Sequence, residues 1–270
     1  LRGHIGIRQD LYDFDVKASL RENSGSDRES HWIPSFGLAY AVSDTSELYM
    51  NWGKGFHSND VRGRTIQVDP ITRLPADTVD LFIDQEGAEV GIRTQVWNDL
   101  IVSLTYFWLA SDSELLFVGD TGSTEPSDGS KRNGFETNVF WNFLEFWTID
   151  LLVSIVDSKF KDLGSGQNAI PNAHGRVIGA GITYANIDNW TGSLRVRHFG
   201  DSALTEDNSQ RHESTTLVNM GLSYDFGSLE TGIEIINVLD ADDVDIAYWY
   251  TSQLQDEIDP VADVHFHPSD

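Results

Sequence analysis

Thr216-Leu217-Val218-Asn219-Met220-Gly221-Leu222-Ser223-Tyr224-Asp225-Phe226 is the stretch on which the fold is decided. Thr216, Val218, Met220, Leu222, Tyr224 and Phe226 take every second position, and Asn219, Gly221, Ser223 and Asp225 stand between them. Successive side chains of a strand point to opposite faces, so this spacing predicts a strand with one apolar and one polar side. Working outward, the same period returns at 190–199, where Trp190, Leu194 and Val196 oppose Thr191, Ser193, Arg195 and Arg197. At 147–155, Trp147, Ile149, Leu151, Val153 and Ile155 oppose Thr148, Asp150 and Ser154. At 100–110, Leu100, Val102, Leu104, Tyr106 and Trp108 share a face, with Ile101 and Phe107 as apolar exceptions on the other. Eleven strands are predicted, near 2–16, 33–43, 46–56, 86–96, 99–111, 132–142, 145–157, 174–185, 189–199, 214–226 and 228–238. No stretch with a 3.6-residue period competes, so the chain is all-β.

The connections alternate in length. Short ones at Ser43–Thr45, Trp97–Asp99, Asn142–Leu144, Asn186–Asp188 and Phe226–Ser228 are separated by long polar ones near 17–32, 57–85, 112–131, 158–173, 200–213 and 239–270. A soluble sandwich or propeller has no reason to gather its long loops at one end. A transmembrane barrel does, with short periplasmic turns and long outer loops. Trp52, Trp108, Trp141, Trp147, Trp190 and Tyr224 lie near strand ends, where such barrels carry aromatic girdles.

The face opposite the apolar one carries Arg8, Glu89, Arg93, Glu136, Asp150, Arg195, Arg197, Glu230 and Glu234. Burying that many charges in a dry core costs several kcal/mol each, whereas a wet or plugged lumen tolerates them. This, with strands well over the globular norm of about 5–6 residues, favours a membrane barrel over a soluble up-and-down β protein.

No apolar run approaches the ~20 residues of a membrane-spanning helix, so a helical membrane protein is excluded. A formal charge of −25 argues against nucleic acid as a partner and against electrostatic docking on an anionic lipid surface. The chain has no cysteine, consistent with an exported protein that does without disulfides. Leu1 opens directly into a patterned segment, and single-chain bacterial barrels have even strand numbers. The 270 residues are therefore expected to be one partial barrel domain, cropped at the start and lacking its closing strand. Eleven strands plus one, doubled, would make the 22 of a plugged transporter.

Three segments carry a family resemblance. Leu48-Tyr49-Met50-Asn51-Trp52-Gly53-Lys54-Gly55-Phe56-His57 resembles the strand-end motif of TonB-dependent receptors. Glu86-Gly87-Ala88-Glu89-Val90-Gly91-Ile92-Arg93 is similar to that family's E-x-G-x-R strand, and Asp112 and Glu114 follow as an acidic cluster. Ile235-Ile236-Asn237-Val238-Leu239-Asp240 is similar to the N-L-F/L-D segment before the last outer loop. The resemblance implies a Gram-negative outer-membrane receptor that takes up a scarce nutrient, above all a ferric siderophore. It implies a 22-stranded barrel around an N-terminal plug, through which a TonB-type inner-membrane complex supplies energy. Plug, coupling box, first half-barrel and final strand would lie outside these residues, and outer-membrane lipid and lipopolysaccharide would surround the whole. A passive porin or an outer-membrane adhesion or structural barrel are the alternatives.

Ligand contacts in such a receptor are expected from the outer loops. His57, Asn59, Asp60 and Arg62 open the longest internal loop. Tyr248, Trp249 and Tyr250 are three adjacent aromatics that could stack on a planar ligand. His265 and His267, two apart, would point one way in an extended segment with Asp263 beside them, a partial metal-ligand set. The run Asp240, Asp242, Asp243 and Asp245 lacks the glycine and terminal glutamate of a calcium loop and is expected to be a solvated surface. Glu89, Arg93, Glu136, Arg195, Arg197 and Glu234 are expected to face the lumen and either anchor the plug or line a substrate path, which the sequence alone does not separate. Nucleophile-elbow, zinc-helix and phosphate-loop patterns are missing or lack their structural context, so no enzyme and no cofactor are expected.

Overall fold

The computed structural model describes residues 1–70, 72–97, 99–113, 115–118, 123–126, 128–241, 244–253 and 258–268. Its body is one antiparallel sheet of eleven strands. These are β1 (Arg2–Val16), β2 (Gly25–Ala41), β3 (Ser46–Ser58), β4 (Phe82–Trp97), β5 (Leu100–Ser111), β8 (Ser130–Leu144), β9 (Trp147–Phe160), β10 (Arg176–Ile187), β11 (Trp190–Phe199), β14 (Thr215–Asp225) and β15 (Glu230–Ile235). The intervening numbers belong to two-stranded hairpins inside the outer loops: β6 (Leu115–Val118) with β7 (Ser123–Pro126), and β12 (Ser202–Ala203) with β13 (Arg211–His212). A third hairpin, β16 (Val244–Ser252) with β17 (Val261–Pro268), follows β15. Each sheet strand pairs with the next one along the chain, so the order is an uninterrupted meander. Among the described residues there is one α-helix, α1 (Val61–Thr65), of five residues, and no described helix could cross a membrane.

The registers turn the sequence alternation into two continuous surfaces. Leu38 lies opposite Met50, Met50 opposite Val90, Val90 opposite Tyr106, Tyr106 opposite Phe135, and Phe135 opposite Ile155. A second apolar row runs Ile149–Ile182–Leu194–Met220–Ile235. Val90 and Phe135 are each 53 % exposed and Ile155 56 %, so no protein layer covers this face. An apolar sheet face of this extent is stable only against lipid.

Aromatic rings bound the band at both ends. At the short-turn end, ring neighbours run Trp97–Trp141–Phe143–Trp147–Tyr184, then Trp190–Tyr224–Phe226. At the other end Trp52 and Trp108 flank Ala88, and the Trp52 indole donates to Glu86 Oε1 at 2.8 Å. Ala88 to Trp97 is about 30 Å of strand, or roughly 23 Å of height at a tilt of about 40°, matching the ~25 Å apolar band of outer-membrane barrels.

The short turns are as tight as a meander requires. Asp188 and Asn189 have φ of 50° and 68°, the left-handed pair of a two-residue hairpin whose twist matches its strands. Several expected boundaries move. Asn142, Phe143 and Leu144 belong to β8, so the β8–β9 turn is Glu145–Phe146, and Trp97 ends β4. β2 begins at Gly25 and β4 at Phe82, so parts of the expected loops 17–32 and 57–85 are strand. β15 is correspondingly shorter and stops at Ile235.

Candidate functional site

The polar face is built by the other half of each strand. Asn51 lies opposite Glu89 and its Nδ2 donates to Glu89 Oε1 at 2.8 Å. Asn138 Nδ2 donates to Glu136 Oε1 at 2.9 Å. In each carboxylate one oxygen is held by an amide while the other has no hydrogen-bond partner among the described residues. Arg93 lies opposite Glu47 and Ser103, with its guanidinium 5.6 Å from the Tyr49 ring centre. On the far strands Arg195 reaches both oxygens of Asp150 at 3.1 Å. Arg197 lies opposite Gly179 and Leu217, and Glu234 opposite Gly221. All six expected lumen residues therefore share this face, in positions that only a hydrated space or a polar partner suits.

Glycines on intervening strands let these side chains span two ladders. Tyr49 passes over Gly91 to bond Thr105 Oγ1 at 2.6 Å, and Asp150 meets Arg195 over Gly181. A Cβ at Gly91 would lie 2.5 Å from the Tyr49 hydroxyl and 2.7 Å from the Leu104 carbonyl oxygen, which is backbone. Gly91→Val is expected to break the Tyr49–Thr105 bond and cost about 1–3 kcal/mol by overpacking. Urea unfolding of the detergent-solubilised barrel measures it, and an unchanged midpoint would contradict the spanning role.

The expected loop residues are used differently from one another. His57 is not in a loop but in β3, opposite Ile83, half-buried, with its Nε2 lacking a hydrogen-bond partner among the described residues. Asn59 is buried and closes the loop's neck: its N–H donates to Leu81 O at 2.8 Å and its Nδ2 to Asp80 O at 2.7 Å. Asp60 caps α1, accepting from the Arg62 backbone N–H at 2.9 Å and from the Arg62 guanidinium. Those bonds, side chain first, draw the Asp60 pKa below the usual carboxylate range. Asn23, which nothing in the sequence singles out, is the keystone of this region. Its side chain accepts from Gln67 N and Val68 N, both at 2.9 Å, and donates to Val68 O at 2.7 Å, docking the β3–β4 loop on the β1–β2 turn.

In the last hairpin Tyr248 lies opposite His265 and Tyr250 opposite Asp263, while Trp249 is opposite Val264. Trp249 therefore faces away from the two tyrosines, and the three rings form no common platform. The His265 ring stacks on Tyr250 at 3.9 Å, and Asp263 Oδ1 accepts from Val264 N. Among the described residues no three metal-binding side chains converge. Glu114, Asp242 and Asp243, with the side chains of Asp245 and His267, lie outside the described residues.

A second docked loop pair sits between β9 and β14. Phe160, Ile170, Ala203 and Leu204 are buried together, and the backbone bonds Ala169 N–Glu206 O (3.0 Å) and Asn172 N–Ala203 O (2.8 Å) join the loops. Arg211 grips Asp201 through Nε at 3.1 Å and Nη2 at 2.5 Å, lowering the Asp201 pKa, with a smaller contribution from Arg176. A carboxylate whose pKa falls on folding stabilises the fold above its unfolded value of about 4 and stops doing so as pH drops through the lower folded value. Acidification below pH ~4 is therefore expected to raise hydrogen exchange in 200–211 before it affects the sheet. Mass spectrometry over a pH series, corrected for intrinsic exchange rates, tests this, and simultaneous loss in sheet and loop would contradict it.

A sequence model of the family described as TonB dependent receptor-like, beta-barrel matches residues 1–238. Among solved structures the chain is similar to the ferric yersiniabactin uptake receptor FyuA from Yersinia pestis (TM-score 0.67, 16% identity, 97% of this chain and 40% of that one). It is similar to the ferric-catecholate import receptor Fiu from K12 E. coli (TM-score 0.66, 15% identity, 90% and 38%). It is also similar to the copper transporter OprC (TM-score 0.70, 14% identity, 89% and 39%). At these identities the likeness is one of fold, and the chain spans about two fifths of the length of those proteins.

Proposed function

Because this chain belongs to the TonB-dependent receptor β-barrel family, we propose that it forms part of the wall of an outer-membrane receptor importing a scarce nutrient, a ferric siderophore in particular. The family is one of transport receptors rather than enzymes, and its barrels sit in the outer membrane of Gram-negative bacteria. The observation that carries the reading is the pair Glu89 and Glu136, each steadied by an asparagine and each keeping one oxygen open on a hydrated face. Such carboxylates suit a guanidinium or ammonium from a plug inside the barrel, and the bond would be charge-assisted on the barrel's side. Arg93 and Arg197 offer the converse contact to plug carboxylates. Energy from a TonB-type complex would then act by loosening these contacts and opening a path for the ligand.

The siderophore reading is supported by what the similar structures are said to carry: ferric yersiniabactin and a ferric catecholate in two, copper in the third. Deleting the gene is the direct test. Growth on chelated iron as sole source is expected to fail, and to return with the intact gene. Normal growth of the deletion strain with every chelate offered, together with abundance unchanged by iron, would overturn the siderophore reading.

A further inference from the structure

The groove between the loops 161–175 and 200–211 has a volume of about 500 Å³, within the range of small-ligand sites. Most of its charges already have partners. Lys159 holds Asp157 at 2.8 Å, and Arg211 spends its guanidinium on Asp201 and Asn208. Several lining side chains make no hydrogen bond among the described residues, Arg176, Glu206 and Ser202 among them. The exposed Arg176 guanidinium lies near enough to Asp201 to influence its ionisation but makes no side-chain hydrogen bond to a described residue. The Glu206 carboxylate likewise accepts no hydrogen bond from a described residue, although its backbone oxygen ties the two loops together. Ser202 is 1% exposed, and its hydroxyl has no hydrogen-bond partner among the described residues. A buried hydroxyl left unsatisfied costs about 1–3 kcal/mol, so its retention needs a reason beyond packing.

A solvent-facing guanidinium and a solvent-facing carboxylate, both without a side-chain hydrogen bond to a described residue, line the same groove as the buried Ser202 hydroxyl, and together they suit a ligand carrying both charges. We propose that this groove binds a small zwitterion, presenting a carboxylate to Arg176 and an ammonium to Glu206, as an amino acid does. A guanidinium takes a carboxylate through two parallel bonds, which fixes orientation as well as sign. Binding in this way requires the loop to turn the Ser202 hydroxyl toward the ligand's carboxylate. The site stands on the outer loops and is independent of the transport reading.

The test uses the intact protein in detergent and saturation-transfer NMR, with L-alanine, L-glutamine and L-phenylalanine as probes and acetate and methylammonium as half-ligands. At least one amino acid is expected to bind, and acetate and methylammonium to bind at least about tenfold more weakly, since each forgoes one charged contact. Arg176→Gln and Glu206→Gln should each weaken the amino acid about tenfold by the same reasoning. Ser202→Ala provides the control against simple unfolding. Removing an unpartnered hydroxyl should leave the loops at least as protected from hydrogen exchange while still weakening the ligand. No binding of any amino acid, equal binding of acetate, or binding that survives the Arg176→Gln Glu206→Gln double variant would each overturn the proposal.

Discussion

Val153→Arg is expected to cripple the barrel, and Ser154→Arg, one residue along, to leave it intact. Val153 lies opposite Thr137 and Ile178 on the apolar face, six residues from Trp147 in the short-turn girdle. Six residues are about 20 Å of strand and roughly 15 Å of height at the usual tilt, inside the ~25 Å lipid band. An arginine there costs about 2–4 kcal/mol because its charge must be drawn out of hydrocarbon. Ser154 points to the other face, opposite Glu136, where an arginine meets water and a carboxylate. Its effect should stay within about 0.5 kcal/mol either way. Urea unfolding in lipid vesicles, with assembly followed by heat-modifiable gel mobility, separates the two. A larger loss in Ser154→Arg would mean that the faces have been assigned the wrong way round, and equal losses would mean that they do not differ as lipid and water do.

The eleven strands and their two faces were legible because lipid on one side and water on the other impose a strict period of two. Where both sides are wet the signal vanishes. Ser26, Asp27, Arg28, Glu29 and Ser30 read as a polar loop, yet they form the outer part of β2 and pair in turn with β1 residues from Asp15 to Leu11. Pro34 marks the change. It has no N–H, and the β2–β3 ladder ends beside it at Ser35–Gly53. Beyond that point β2 meets β3 and β4 through side chains, His31 against Phe56 and Phe82, with Tyr12 closing on the same two rings.

The charges of the polar face were legible for the same reason, since parity alone puts Glu89, Arg93 and Glu136 on one side of the sheet. Their partners were not: Asn51 and Asn138 become visible only when the register sets them beside a carboxylate. The outer loops were the least legible part. Asn23 earns its role by three bonds to residues more than forty positions away, and no local pattern encodes that. Ser202, Arg176 and Glu206 likewise sit in stretches whose composition reads only as polar loop.

Phe160→Ala tests how far those loops are folded units in their own right. Phe160 is 1% exposed, its N–H donates to Asn168 O at 3.0 Å, and it shares a small core with Ile170, Ala203 and Leu204. Truncating a buried phenylalanine costs about 3–5 kcal/mol, through lost transfer energy and the cavity left behind. A core of four apolar residues has little else to draw on, so the loss should exceed the local stability of the loop pair. Its effect should stop at the sheet, because β9 and β10 remain joined by the ladder from Tyr184–Trp147 to Arg176–Ile155. The expected result is fast hydrogen exchange throughout 161–175 and 200–214, with β9, β10 and β11 still protected. The docked β1–β2 and β3–β4 loops, held by Asn23, should be unaffected. Unchanged exchange in the loops would show that hydrogen bonds rather than this core hold them, whereas loss of protection across β9–β11 would make them part of the barrel's own cooperative unit. The first outcome would leave the groove's geometry to the Arg211–Asp201 pair, and acid would then release it more effectively than the substitution does.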